Sequence, residues 1–273
     1  MPRPPALSPS RANDFRQCPL MFRLRIVDQV PEEPSAAALL GTLVHSVLED
    51  LYDAPAPERT ETSAVAMLAP TWKKMQESDP TCTTIHASPE DEQAWLNDAA
   101  TRVRTYFTME NPTRLEPESR EVLLEYQLED GPLLRGILDR VDVAPDGSIR
   151  IVDYKTGKKP LERFSRQATF QMRFYALLVA RTRARTPALM QLLYLRDGGT
   201  VVLRPTDEDL AAIEHEVREL WREITQVATA GQWRPQRSRL CDWCSYQQLC
   251  PEFGGTPPPL DVEAVRTRLG IDV

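Results

Sequence analysis

Gly136-Ile137-Leu138-Asp139-Arg140-Val141-Asp142 is followed, across the turn Pro145-Asp146-Gly147, by Ile149-Arg150-Ile151-Val152-Asp153-Tyr154-Lys155. These two β-rich runs, read as strands over Leu133–Val143 and Ile149–Tyr154, decide the fold class. Upstream, Val122-Leu123-Leu124-Glu125-Tyr126-Gln127-Leu128 reads as another strand, ended by Asp130-Gly131. Three sequential strands joined by tight turns predict an antiparallel meander. Downstream come a helix over Phe164–Arg183, a strand over Met190–Leu195 and a turn at Asp197-Gly198-Gly199. A strand at Val201-Val202-Leu203 and a helix over Asp207–Thr229 follow, with Thr206 as its N-cap. Between Ser35 and Tyr52, Leu39, Leu40, Leu43, Val44, Val47, Leu48 and Leu51 recur at helical spacing, which predicts an amphipathic helix. The order is helix, three strands, helix, two strands, helix. It predicts an α/β fold with a central mixed sheet flanked by helices, without the regular alternation of a doubly wound sheet.

Residues 54–118 read as a helical insertion, proline-rich at its start and broken near Asp79-Pro80 and Ser88-Pro89. At the N-terminus, Leu7-Ser8-Pro9-Ser10 can open one or two helical turns that Cys18-Pro19 then breaks. The 273 residues, 41% hydrophobic and 27% charged, fit one large globular domain. No apolar run approaches the roughly 20 residues of a membrane span, and no apolar stretch follows the N-terminus as in a secretory signal. The expectation is a cytoplasmic protein without a membrane partner. The formal charge is -7, yet Lys155–Arg185 carries nine basic residues against Glu162 alone. That stretch is either a solvated helix face or the footprint of a polyanion.

Residues two apart on a strand share a face, so Asp153 and Lys155 project together. Alone, such a pair is an ordinary surface ion pair. Asp139 changes its meaning, because a meander lays its strand beside the one bearing Asp153. Two carboxylates can then converge on one divalent ion, and oxygen ligands suit Mg²⁺ or Mn²⁺. His45, on the amphipathic helix, could add a nitrogen ligand. Near the C-terminus, Cys241, Cys244 and Cys250 have the spacing C-x₂-C-x₅-C, and Cys18 at the other end is the natural fourth thiolate. Spacing leaves open whether zinc or an iron-sulfur cluster is held. Cys82 fits no ligand pattern and reads as a small apolar residue.

Four motifs in order carry a resemblance. Gly41-Thr42-Leu43-Val44-His45, Gly136-Ile137-Leu138-Asp139-Arg140-Val141-Asp142, Val152-Asp153-Tyr154-Lys155-Thr156-Gly157 and Gln171-Met172-Arg173-Phe174-Tyr175 resemble those of RecB-like nucleases of the PD-(D/E)XK superfamily. The resemblance runs from about Leu7 to Pro251. It implies a restriction-endonuclease-like core with a catalytic sheet and motif helix over 119–205. It implies Asp139, Asp153 and His45 as metal ligands, with the Tyr154 carbonyl completing the set, and Lys155 as the catalytic lysine. Gln171 and Tyr175 look like the pair such nucleases place beside the active site and the DNA. The cysteines resemble the iron-sulfur staple of AddB-type and CRISPR-associated relatives. A [4Fe-4S] cluster on Cys18, Cys241, Cys244 and Cys250 would then tie residues 236–254 to the N-terminal segment, with zinc the alternative.

The activity implied is metal-dependent hydrolysis of DNA by an exonuclease on single-stranded ends, in repair or recombination. Arg140, Lys158, Lys159, Arg166 and Arg173 are the candidate DNA contacts. A different class is a non-catalytic nucleic-acid-binding module, but His45, Asp139, Asp153 and Lys155 are all present. No G-x₄-G-K-[ST] motif occurs, so a helicase or recombination partner would be a separate protein.

Overall fold

The computed structural model describes residues 5–161 and 166–272. Helix α1 spans Pro9–Gln17, with Ser8 as N-cap accepting the Arg11 N–H, and α2 follows at Pro19–Phe22. One π-helical turn (Arg23–Val27) leads to α3, Ala36–Asp50. The expected insertion holds α4 (Glu61–Ser78) and α5 (Pro89–Met109). Next come β1 (Ser119–Gln127), β2 (Leu133–Val143) and β3 (Ile149–Lys155). Helix α6 (Arg166–Arg183), β4 (Leu189–Tyr194), β5 (Gly199–Leu203), α7 (Asp207–Ala230) and α8 (Val262–Leu269) complete the order. The expected start of α6 at Phe164 lies outside the described residues. Thr206 caps α7 as expected, in a reciprocal capping box with Asp209.

The five strands form one sheet in sequence order. The pairs β1–β2, β2–β3 and β4–β5 are antiparallel, and β3–β4 is parallel, with α6 as the crossover between them. This is the mixed α/β sheet that the strand order predicts. Its two faces bury separate cores. On one side Ile149 and Ile151 of β3 pack with α1, α2, α6, α7 and α8, through Phe15, Phe22, Phe174, Leu177, Val217 and Val265. On the other, Val152 and Tyr154 pack with α3, α4 and α5, through Val44, Leu48, Leu68, Trp72 and Tyr106. A strand covered on both faces reads as a mainly apolar run, and Ile149–Tyr154 is apolar except at Arg150, which pairs with Glu110 and Asp142, and at Asp153. Cys82 is buried in the second core, as its apolar reading predicts.

Strand β2 reaches beyond β3, since the ladder between them covers only residues 140–143 of β2. Leu7 pairs with the free part: its N–H donates to Leu133 O (2.8 Å), and Arg135 N–H donates to Leu7 O (2.9 Å). The N-terminal segment is thus anchored to the sheet before α1 begins.

Candidate active site

Strand register lines up one acid from each of three strands. Arg120 faces Arg140 and Val122 faces Leu138, so Glu121 of β1 stands across from Asp139 of β2. Arg140 faces Val152, which puts Asp139 level with Asp153 of β3, one step past the last paired residue. The pleat breaks here. Leu138 packs in the α6-side core, but Arg140, two residues on, points at Tyr52, Tyr106 and Tyr154 on the opposite face. Regular alternation would put both on one side. Opposite the break, Glu121 adopts the left-handed backbone region at φ 43°. Asp139 itself is pinned by accepting the Tyr154 N–H at 2.6 Å from Oδ2.

Helix α3 brings His45 to this row because Val44, Val47 and Leu48 bury its apolar stripe against the sheet. The imidazole Nε2 lies 3.0 Å from the Tyr154 carbonyl oxygen, and Nδ1 lies 3.5 Å from Asp139 Oδ2. Lys155 Nζ sits 2.7 Å from Asp153 Oδ2. From α6, Gln171 Nε2 donates to Asp153 Oδ1 (2.9 Å) and to the Tyr175 hydroxyl (3.2 Å). Asp153 is only 5% exposed, so this is no surface ion pair. Burial first, and then the charge of Asp139, push the Asp153 carboxyl up; Lys155 and His45 pull it back without cancelling the rise. Burial also raises Glu121, again with Asp139 adding to it, to about 7. For His45, burial disfavours the charged ring, but Asp139, Asp153 and Glu121 outweigh it and raise the imidazole.

A family model described as the PD-(D/E)XK nuclease superfamily matches residues 6–251. The chain belongs to this superfamily. Its nucleases use divalent metals. The chain is 25% identical over 271 residues to the Gene 69 protein of Mycobacterium phage D29, covering 91% of this chain and 97% of that one. A shorter likeness, 37% identical over 67 residues, is to an ATP-dependent helicase/deoxyribonuclease subunit of Streptococcus mutans; it covers 24% of this chain and 6% of that one. A crystal structure from Eubacterium rectale, carried under a provisional exonuclease designation, superposes with a TM-score of 0.60. It covers 95% of this chain and 92% of that one at 18% identity, a likeness of fold.

As a PD-(D/E)XK nuclease, the chain needs donors for a cation, and its residues fit one. Glu121, Asp139 and Asp153 bring three carboxylates to one level of the sheet, with Lys155 on Asp153 and the His45 imidazole beside Asp139 and Glu121, a donor set that suits a divalent cation. His45, Asp139 and Glu121 each offer a ligand atom within 4.8 Å of the others. Glu121 is absent from the residues that the motifs single out. The β-favouring run begins at Val122, one residue past it; counting register back from the Asp130-Gly131 turn is the signal that points to it.

Arg140 requires a correction. Expected at the DNA surface, it is wholly buried, paired with Glu110 (2.7 Å) and Asp142 (3.1 Å) and hydrogen-bonded to three tyrosine hydroxyls. The break in the pleat at Asp139 turns it inward. Lys159 is exposed but tied to β5, its Nζ donating to Thr200 O at 2.8 Å. Arg173 pairs with Asp209 at 3.0 Å. Lys158 and Arg166 are exposed. Arg166 and Arg173 share a cleft of about 680 Å³ with Arg16, whose guanidinium lies 4.2 Å over the Phe170 ring.

Cys18, Cys241, Cys244 and Cys250 line one small cavity. Cys18 Sγ accepts the N–H of Gln236, 218 residues away, at 3.4 Å. Burial raises the Cys244 thiol, and the neighbouring Cys18, Cys241 and Cys250 add to it. A tetrahedral zinc with ~2.3 Å bonds sets its sulfurs ~3.8 Å apart. Among the described residues no three cysteine sulfurs lie within 4.8 Å of one another. Among them, too, no helix is long and apolar enough to cross a membrane.

Proposed function

We propose that this chain is a Mg²⁺- or Mn²⁺-dependent deoxyribonuclease, an exonuclease acting on single-stranded DNA ends in repair or recombination. One observation supports the reading: at the end of β3, His45 lies against Asp139 and the Tyr154 carbonyl oxygen, and Asp153, one strand over from Asp139, pairs with Lys155. The first four would hold the ion. A bound divalent ion supplies Lewis acidity toward the scissile phosphate and lowers the pKa of a water. Lys155, set by Asp153, holds the attacking oxygen and offsets charge that builds on the phosphate. Gln171 fixes Asp153 through Oδ1 and keeps the Tyr175 hydroxyl beside it, next to the path of the strand. Arg166 and Arg173 line the cleft to either side of Gln171 in the chain, where phosphates would lie.

The same reading takes residues 1–273 as one nuclease domain whose cysteine-bearing segment closes on Cys18. The four thiolates around one cavity would hold a [4Fe-4S] cluster, with zinc the alternative. The likeness to a helicase/deoxyribonuclease subunit supports a separate motor as partner.

End-labelled single- and double-stranded DNA, with Mg²⁺, Mn²⁺ or EDTA, tests the activity. Release of short products from single-stranded ends with either metal, and none with EDTA, is the expected result. Asp153→Ala and Lys155→Ala should each lose at least about a hundredfold in rate. Full activity in either variant overturns the assignment, and a wild-type chain that binds DNA without cutting it favours the binding-module reading.

A further inference from the structure

Glu121 sits where a structural role is hard to find. It lies in β1, opposite Asp139, yet its backbone is in a region that favours glycine and asparagine. Among the described residues no hydrogen-bond donor reaches its carboxylate, and the basic group in range is His45, at 3.9 Å from Nδ1. The nearest acid, Asp139, repels it. A solvated glutamate would turn outward; this one stays beside His45 with its side chain 30% exposed. It also borders a cavity of about 380 Å³, whose other lining residues are Gly41, Thr42, His45, Ser46 and Glu49 of α3.

The spacing suits a shared ion. Six-coordinate bonds of about 2.1 Å separate adjacent ligand atoms by about 3 Å and opposite ones by about 4.2 Å. His45 Nδ1 is 3.5 Å from Asp139 Oδ2 and 3.9 Å from Glu121 Oε1, inside that interval. A dication would also remove the repulsion between Glu121 and Asp139.

We infer that Glu121, reaching in from β1, is a direct ligand of the divalent cation beside His45 and Asp139. This rests on the metal-dependent reading above and adds a residue to its metal centre. The ion would be gripped from three strands and a helix, so its binding reports on the β1–β2 pairing as well as on β3. Asp139 and Glu121 then share one dication, whose two positive charges offset the repulsion between the two carboxylates.

Mn²⁺ binding by the full chain, read from the loss of the free-ion EPR signal, tests this without any turnover. Glu121→Gln keeps the size and removes the charge; it should weaken Mn²⁺ binding by about tenfold or more. Glu121→Asp should recover part of that loss. Glu125→Gln, on the same strand but paired with Arg135, should match wild type. Circular dichroism and thermal unfolding confirm that each variant is folded. An unchanged affinity in Glu121→Gln, with Asp139→Asn weakened, overturns the role of Glu121 and leaves the nuclease reading intact. No Mn²⁺ binding by wild type overturns both. If Glu121→Gln costs nothing further in a His45→Asn background, Glu121 acts only by orienting His45, and direct ligation is overturned.

Discussion

At Asp153 an exposure of only 5% separates two meanings of the same three letters. In water, Asp-x-Lys is a weak ion pair; under the α6 helix it is a carboxylate whose charge burial resists. Three groups of the site share a direction, because Asp153, Glu121 and His45 are all raised in the folded protein. Each holds its proton more tightly folded than unfolded. For the two acids, the native state therefore binds more protons than the unfolded state from about pH 4 upward, through about 7 for Glu121. The His45 contribution is complete below its unfolded pKa near ~6.5 and is lost as pH rises from there through the folded value. All three make the metal-free protein less stable as pH rises from about 5 to about 8. Thermal unfolding in EDTA should show the midpoint falling across that window, with a shallower fall in Glu121→Gln. A midpoint that climbs with pH, or the same slope in the variant, contradicts the assignment. With a divalent ion bound the slope should flatten, because the ion takes the place of the protons.

Among the elements, β2 and α6 form the joint that sets the site. A Cβ on Gly136 would come 2.7 Å from Tyr175 Cε1 and 2.9 Å from Leu178 Cδ1. Glycine there lets α6 lie close enough for Gln171 to reach Asp153. Gly136→Ala should cost about 1–3 kcal/mol by overpacking, measured by urea unfolding, and should lower the nuclease rate by displacing Gln171 and Tyr175. An alanine variant of wild-type stability and rate would show that the helix has room to spare. The bounds of β2, and of α7 nearly so, are legible from the sequence, since turn residues and an N-cap mark them locally. The break in the pleat at Asp139 is not. It depends on Arg140 finding Glu110 and three tyrosines, which come from β3, from α5 and its end, and from the turn after α3. No local pattern encodes such a set of partners.

Across the whole molecule, the segments around α1 and α8 come together. Leu7 pairs with β2, α8 packs in the same core as α1, and Cys18 accepts a backbone N–H from Gln236. If the four thiolates hold an iron-sulfur cluster, Cys18→Ser and Cys250→Ser should lose iron and the broad absorption near about 400 nm alike, despite lying at opposite ends. Cys82→Ser, in the other core, should keep both. Retention of colour and iron in Cys18→Ser removes it from the ligand set, and stoichiometric zinc in anaerobically purified protein excludes the cluster. Loss of the cross-link should also lower the unfolding midpoint, because it frees a closed loop of more than two hundred residues.

The sequence by itself determined the order of strands along the chain and the helices that flank the sheet, while the resemblance to RecB-like nucleases singled out His45, Asp139, Asp153, Lys155, Gln171 and Tyr175 as candidates. Periodicity, turns and motif order are local, and local information suffices for them. Only the tertiary structure decided that Asp153 is buried, that Arg140 faces inward and that Glu121 joins the site. Each of these depends on which face of a strand is covered and by what, and the covering segments are distant in the chain. The Asp139–Asp153 convergence lies between the two. The meander put the strands side by side, and the register then decided that the two carboxylates, and Glu121 with them, stand at the same level.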